Sequence, residues 1–270
     1  GVITGQVRGV PDFVGTNGAL RTSLNFMDNT YEDVADYIDR EWSALYQAAN
    51  NGTDNAPDIF YYNFCGKAGK FYLDENRQGR MLDQEDLKIE FLSDNTFRIV
   101  DERGVVYTFA SRESAYNNSF GGYYTTGWYL SEMTSPSGGG LSFDYVSGGT
   151  LAAENFGRAY NSCFMEILKD AGYHEIPSIY RTPTFATGDP VQGLVLSGIT
   201  ASSGDRIAFT QRGGKRLDAR NVNGSVLETV AYVSSAGTTC KEYKFSYSYF
   251  EPDASHKLDL SGYEFLNYRL

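Results

Sequence analysis

The chain has 270 residues and a mass of 30.0 kDa, enough to bury a sizeable core as one large domain or two modest ones. Its net charge of -11 repels phosphate backbones, and its densest cationic stretch, Arg212 to Arg220, is diluted by glycines and an aspartate, so nucleic acid is not an expected partner. No stretch approaches the ~20 apolar residues of a membrane span, and no secretory leader is visible.

With 21 Tyr, 17 Phe and 29 Gly, the composition favours strands joined by tight turns, because rings pack on pleated faces and glycine supplies positive φ. Residues 1–55 read as an extended segment followed by one amphipathic helix. Thr30 is placed to cap that helix, with Asp33 three residues on. Val34, Ile38, Trp42 and Leu45 line one face, and Asn50-Asn51-Gly52 supplies the stop, so the helix is expected over 30–49.

After Pro57 the period changes to two. Phe60, Tyr62 and Phe64 alternate with Tyr61 and Asn63, Gly66 to Gly69 makes a turn, and Phe71 and Leu73 follow before Asp74-Glu75-Asn76. Leu87 to Phe91 is another strand, ended by Ser93-Asp94-Asn95. From there the sequence repeats. Ile99, Gly104, Tyr107 and Phe109 have the same spacing as Met133, Gly138, Leu141 and Phe143, and as Ile199, Gly204, Ile207 and Phe209. A looser copy runs through Leu227, Val230, Gly237, Tyr243, Phe245 and Tyr247. Each copy is expected to be a β-hairpin with its glycine in the left-handed turn position. The expected fold is therefore mainly β, with antiparallel sheets built from successive hairpins over 56–146 and 191–270. The inner face would be Phe, Tyr and Ile, which places Phe143 and Phe209 in the core. The intervening 147–190 reads as irregular or partly helical. Over Leu151 to Lys169 a short helix and irregular strands fit about equally, with Gly157 weighing against the helix.

The unit from Trp128 to Tyr145 resembles the YD repeat of bacterial RHS-type proteins, in which an apolar residue, an Ile-Thr-Asp-x-x-Gly turn and an alternating strand ending in Tyr-Asp follow one another. Phe97 to Phe109 is similar, with Asp101 and Gly104 in the matching places, and so is Pro57 to Asp74 to the segments that precede such repeats. This chain departs from the family in reading Asp144-Tyr145 rather than Tyr-Asp, and in following Phe209 with Thr-Gln. The resemblance implies a structural, non-catalytic module of a larger secreted or surface-attached protein, associated with the outer membrane. Its partners would be the rest of its own chain and, in some relatives, polysaccharide. The opening at Gly1 without Met and the start of a new strand at Asn267 to Leu270 fit a trimmed piece that continues.

Chemistry has little support in the residues. Asp74, Asn76, Gln78, Gly79 and Glu85 fall at positions one, three, five, six and twelve of an EF-hand-like calcium loop. Phe71-Tyr72-Leu73 before them reads as strand rather than helix, however, so a polar hairpin turn is the expectation and no metal site is assigned. His174 and His256 sit in no metal-ligand or catalytic spacing, and no nucleotide-binding loop or nucleophile elbow occurs, so neither cofactor nor catalytic residue is assigned. A pair of glycosidase carboxylates would be invisible in sequence; Glu85, Asp86 and Glu113 are candidates no better than others, which leaves a glycoside hydrolase as the weaker alternative. A carbohydrate-binding module is the nearer one, with Tyr123 and Tyr124 open as stacking rings and Trp128 expected in the core. Cys65, Cys163 and Cys240 lack a CxxC pairing and are expected as buried free thiols, one disulfide plus a spare thiol being the other arrangement.

Overall fold

The computed structural model describes residues 1–7, 12, 57–74, 76–83, 85–117, 122–151, 154–169, 172–187, 191–213, 217–218 and 225–257. The helix expected over 30–49 lies outside them. What is described is mainly antiparallel strand joined by turns, as the composition and the alternation imply.

The first strand, β1 (Val2–Gln6), pairs with β2 (Ile59–Phe64) on one edge and with β9 (Gly122–Tyr129) on the other. β2 turns through Cys65-Gly66, both at positive φ, into β3 (Lys67–Leu73), which pairs with β4 (Gly79–Met81). Then β5 (Lys88–Phe91), β6 (Phe97–Val100) and β7 (Val106–Phe109) meander side by side. Gln78 bridges to Glu90 and the Phe91 amide donates to the Arg77 carbonyl at 2.9 Å, so the sheet curls back on itself into a near-barrel. β8 (Ser111–Asn117) flanks β9, and β10 (Glu132–Thr134) carries β7 on to β11 (Gly140–Leu151).

The alternation read at Phe60, Tyr62 and Phe64 points those rings inward. They meet Ile3, Phe71, Leu73, Ile89, Phe91, Phe97, Ile99, Tyr107, Phe109, Trp128 and Leu130 in one cluster. Trp128 is at its centre. Its ring stands edge-on to Phe97 at 4.9 Å and to Phe60 at 5.9 Å, while its Nε1–H donates to the Asn95 carbonyl at 2.9 Å, so the indole is buried without an unmet donor. Tyr62 lies flat against Gly69, its cross-strand partner, where any Cβ would collide with the ring. Burial pushes its hydroxyl up to about 12, with Glu85 and Asp83 adding to the shift.

The segment between the two hairpin regions is extended, not helical. β12 (Glu154–Lys169) and β13 (Gly172–Thr187) pair in unbroken register from Glu154–Thr187 to Lys169–Gly172 as a separate two-stranded ribbon. Gly157 disfavours the helix that the apolar spacing allows, and Pro177 and Pro183 disfavour one on the other arm. These prolines are six residues apart, so their nitrogens face the same edge.

The last strands grow outward. β14 (Val191–Ala201) pairs along its length with β11, touches β8 at Val191 and Gln192, and pairs at its other end with β15 (Arg206–Arg212). β16 (Val226–Val233) and β17 (Thr239–Lys244) add in turn, which makes a sheet of 15 strands among the described residues and joins both hairpin regions.

The left-handed turn glycines predicted from the repeat are observed. Gly104, Gly138, Gly204 and Gly237 all have φ between 77° and 91°. The burial expected of the repeat rings holds only for the first copy. Phe109 is fully buried, Phe143 is partly buried against the core, and Phe209 is half-buried in a sheet that no second layer covers among the described residues. Phe109→Ala should therefore cost about 3–5 kcal/mol in a denaturant titration, and Phe209→Ala, at the same place in the repeat, roughly 1 kcal/mol. Equal midpoint shifts would contradict the difference in cover.

Candidate functional site

Two features stand out: a set of like turns, four at one end of the sheet and two at the other, and an apolar face that runs on uncovered beyond the core among the described residues. The turns set the register of the face.

In the turns starting at Asp74, Leu92, Asp101, Ser135, Ala201 and Ser234, the first residue's amide donates to the fifth residue's carbonyl. The fourth residue's amide returns to the first carbonyl, all at 2.8–3.1 Å. The fourth residue is left-handed each time: Arg77, Asn95, Gly104, Gly138, Gly204 and Gly237. The spacing of glycines reveals four of these. The copies at Asp74 and Leu92 escape it because Arg77 and Asn95 hold the glycine position.

The EF-hand-like residues belong to the first of these turns. One Asp74 oxygen, Oδ1, accepts the amides of Asn76 at 3.0 Å and Gln78 at 2.8 Å, and Oδ2 accepts Arg80 at 2.8 Å. Gln78 and Gly79 continue into the sheet, and Glu85 lies 4.0 Å from Lys67 Nζ. Asp101 repeats the arrangement, accepting the amides of Arg103 and Val105 at 2.9 Å each and the Tyr107 hydroxyl at 3.1 Å. Burial pushes both carboxyls up, but these donors outweigh it and hold each below the ordinary carboxylate range. The loop is thus a carboxylate-braced hairpin turn. Among the described residues, no three His, Cys, Asp or Glu side chains gather as a metal site would require.

The other carboxylates are held apart by different partners. Glu113 accepts the Tyr129 hydroxyl at 2.9 Å and Thr126 Oγ1 at 3.3 Å, while Asp86 is exposed. Burial, reinforced by Glu113, pushes the Tyr129 hydroxyl up to about 12. Asp12 and Asp58, which the sequence does not single out, are both buried, and each backbone amide donates to the other's carboxylate at 3.0 Å. That exchange is a clamp across 46 residues of chain. Cys65 and Cys240 are free but exposed, contrary to the expectation of burial: Cys65 occupies a hairpin turn and Cys240 an edge strand. The side chains of Cys163 and His174 lie outside the description.

The apolar face follows directly from strand register. Ile89, Ile99, Tyr107, Met133, Leu141 and Ala201 are successive cross-strand partners. The first three are buried and the last three half-buried. One step along, Phe143, Ile199, Ile207, Tyr232 and Lys241 form the next row. Phe209, Val230, Tyr243 and Phe245 share that side. Exposure rises outward: Ile207 39%, Tyr232 42%, Tyr243 52%. Lys241 Nζ stands 4.9 Å above the Tyr243 ring. Where this face leaves the core, a cavity of about 640 Å³ opens over Val105, Tyr107, Met133 and Leu141, with Cys65 and Arg103 on its rim. The opposite side is polar. Arg206 crosses bare Gly198 to reach Asp144 at 3.0 Å, and Lys244 pairs with Glu242 at 3.3 Å. Of the rings left open by the sequence, Tyr123 is exposed and edge-on to Tyr116 at 5.1 Å, and Tyr124 is half-buried.

No family model, no curated protein and no solved structure matches the chain. Among the described residues, no helix is long and apolar enough to cross a membrane.

The braced turns predict an acid limb to stability. A carboxyl whose folded pKa lies below its unfolded value of about 3.9 stabilises the fold above that value, and the contribution is lost as pH falls through the folded pKa. Urea midpoints should therefore fall below about pH 4. Asp101→Asn should be less stable near pH 7 by about 1–3 kcal/mol and show a shallower acid limb. An unchanged slope would show that Asp101 does not brace the turn.

Proposed function

We propose that the chain is a non-catalytic structural module of a larger secreted or surface-attached protein, built on the YD-repeat plan, whose work is to extend a sheet hairpin by hairpin. One observation carries this reading. The inner face that packs the near-barrel runs on, in register, across β11, β14, β15, β16 and β17 with no covering layer among the described residues. A sheet with one apolar side gains from further cover at roughly 25 cal/mol per Å² of apolar surface removed from water. More strands of the same chain, curling over that side, would supply it. The repeated turn supports the same reading, since each copy adds two strands in fixed register.

The test is the native product in its source cells. A chain much larger than 30.0 kDa, found at the surface or in the medium, is expected. A product ending near Leu270 would overturn the proposal.

Carbohydrate binding is the second reading, favoured by the exposed rings of Tyr232, Tyr243 and Phe245 on a flat strand surface beside Lys241. Sugar rings stack on such faces through their C–H groups. On this reading a polysaccharide panel gives saturable binding that Tyr243→Ala weakens at least about tenfold, the loss of roughly 1.4 kcal/mol. A flat response across the panel removes it.

A further inference from the structure

Among the described residues, nothing pairs with the outer edge of β17. An open edge usually recruits strands indiscriminately, and lysines on it usually prevent that. Here the charges alternate along the strand in an order that repels most registers and favours one.

The direction of the backbone groups comes first. The Phe245 amide donates to the Glu228 carbonyl of β16 at 2.9 Å, so the polar backbone groups of Phe245, Tyr243 and Lys241 face β16. Those of Lys244 and Glu242 therefore face outward, since they alternate along a strand. A second strand laid antiparallel against this edge must match outward residues with outward ones and inward with inward.

Consider two copies of β17 related by a twofold axis. With the axis at Glu242, Glu242 stands opposite its own copy. At Lys241 or Lys244, lysine faces lysine. With the axis at Tyr243, Glu242 of each copy lies opposite Lys244 of the other, twice over, as a hydrogen-bonded pair. Tyr243 then meets Tyr243, and Lys241 meets Phe245, both as non-hydrogen-bonded pairs. The partition by side is kept as well. The charged pairs fall on the polar side, where Glu242 and Lys244 already stand 3.3 Å apart, and the rings fall on the apolar side, where Lys241 already covers Tyr243. Opposite charges and aromatic pairs directly across a strand pair stabilise it, and like charges there destabilise it.

We infer that the chain forms a twofold dimer through antiparallel pairing of β17 edges centred on Tyr243, its occupant being a second copy of the same chain. The pairing is isologous and closes on itself, so it uses up both edges and gives a dimer rather than a fibre. The inference does not depend on the module's place in a longer chain; a following hairpin would compete for the same edge.

Sedimentation equilibrium on the 270-residue chain tests it. A monomer–dimer equilibrium is expected. Glu242→Lys sets lysine against lysine at both pairs and should raise the dissociation constant at least about tenfold. Adding Lys244→Glu to that variant restores opposite charges in the same register and should return it to within about threefold. Lys244→Pro removes an outward amide that β16 does not need, and should abolish dimerisation while circular dichroism stays unchanged. A monomer at every concentration would overturn the inference, as would a dimer indifferent to these substitutions. Slow hydrogen exchange at the Glu242 and Lys244 amides in a monomer would overturn it too, by showing that the chain covers its own edge.

Discussion

A five-residue turn whose fourth residue must take positive φ determines how the strands of this protein are aimed. The two hydrogen bonds across the turn leave no choice of register, so the residues flanking it are committed to one face or the other before any core forms. Ile99 faces Tyr107, Met133 faces Leu141, and Ile199 faces Ile207 for this reason. A slip of one residue would reverse every side chain along the strand. Asp74 and Asp101 add a second device, a carboxylate that satisfies two turn amides at once.

With register fixed, the apolar side has to be covered, and the protein covers it in two ways of unequal extent. Over β1 to β7 and β9 the sheet closes on its own rings, and the cluster around Trp128 is packed edge to face. Beyond β10 the same side continues with no covering partner among the described residues, and burial fades from Tyr107 through Met133 and Leu141 to Ile207 and Tyr232. The polar side shows no such gradient, being paired by Arg206 with Asp144 and Lys244 with Glu242. Among the described residues the sheet is therefore satisfied on its polar side and uncovered on its apolar one.

Much of this was legible in the sequence because strand alternation and left-handed glycines are local signals. The rings of β2, the hairpin at each repeat glycine and the buried Trp128 were all readable. What was not readable was non-local or disguised. Arg77 and Asn95 conceal two copies of the turn, since residues other than glycine can hold positive φ at some strain. The apolar spacing over 151–169 is helical, yet Glu154–Lys169 is a strand because its partner, Gly172–Thr187, pairs along its whole length. The split in burial between Phe109 and Phe209 depends on which strands find cover, which no local pattern encodes. The exposed site of Cys65 follows from a turn too short to bury it.

The place of β1 has a consequence for how the chain is made. Val2 to Gln6 leaves the ribosome well before its partners, Ile59–Phe64 and, on the other side, Gly127–Tyr129. The near-barrel cannot seal until more than a hundred further residues have emerged. The hairpins from β2 to β7 need no such wait, because their contacts are close in sequence and cost little loop-closure entropy. During synthesis the growing meander therefore exposes the seam that Ile3 will fill. A strand made before both of its neighbours thus finds its place only after them.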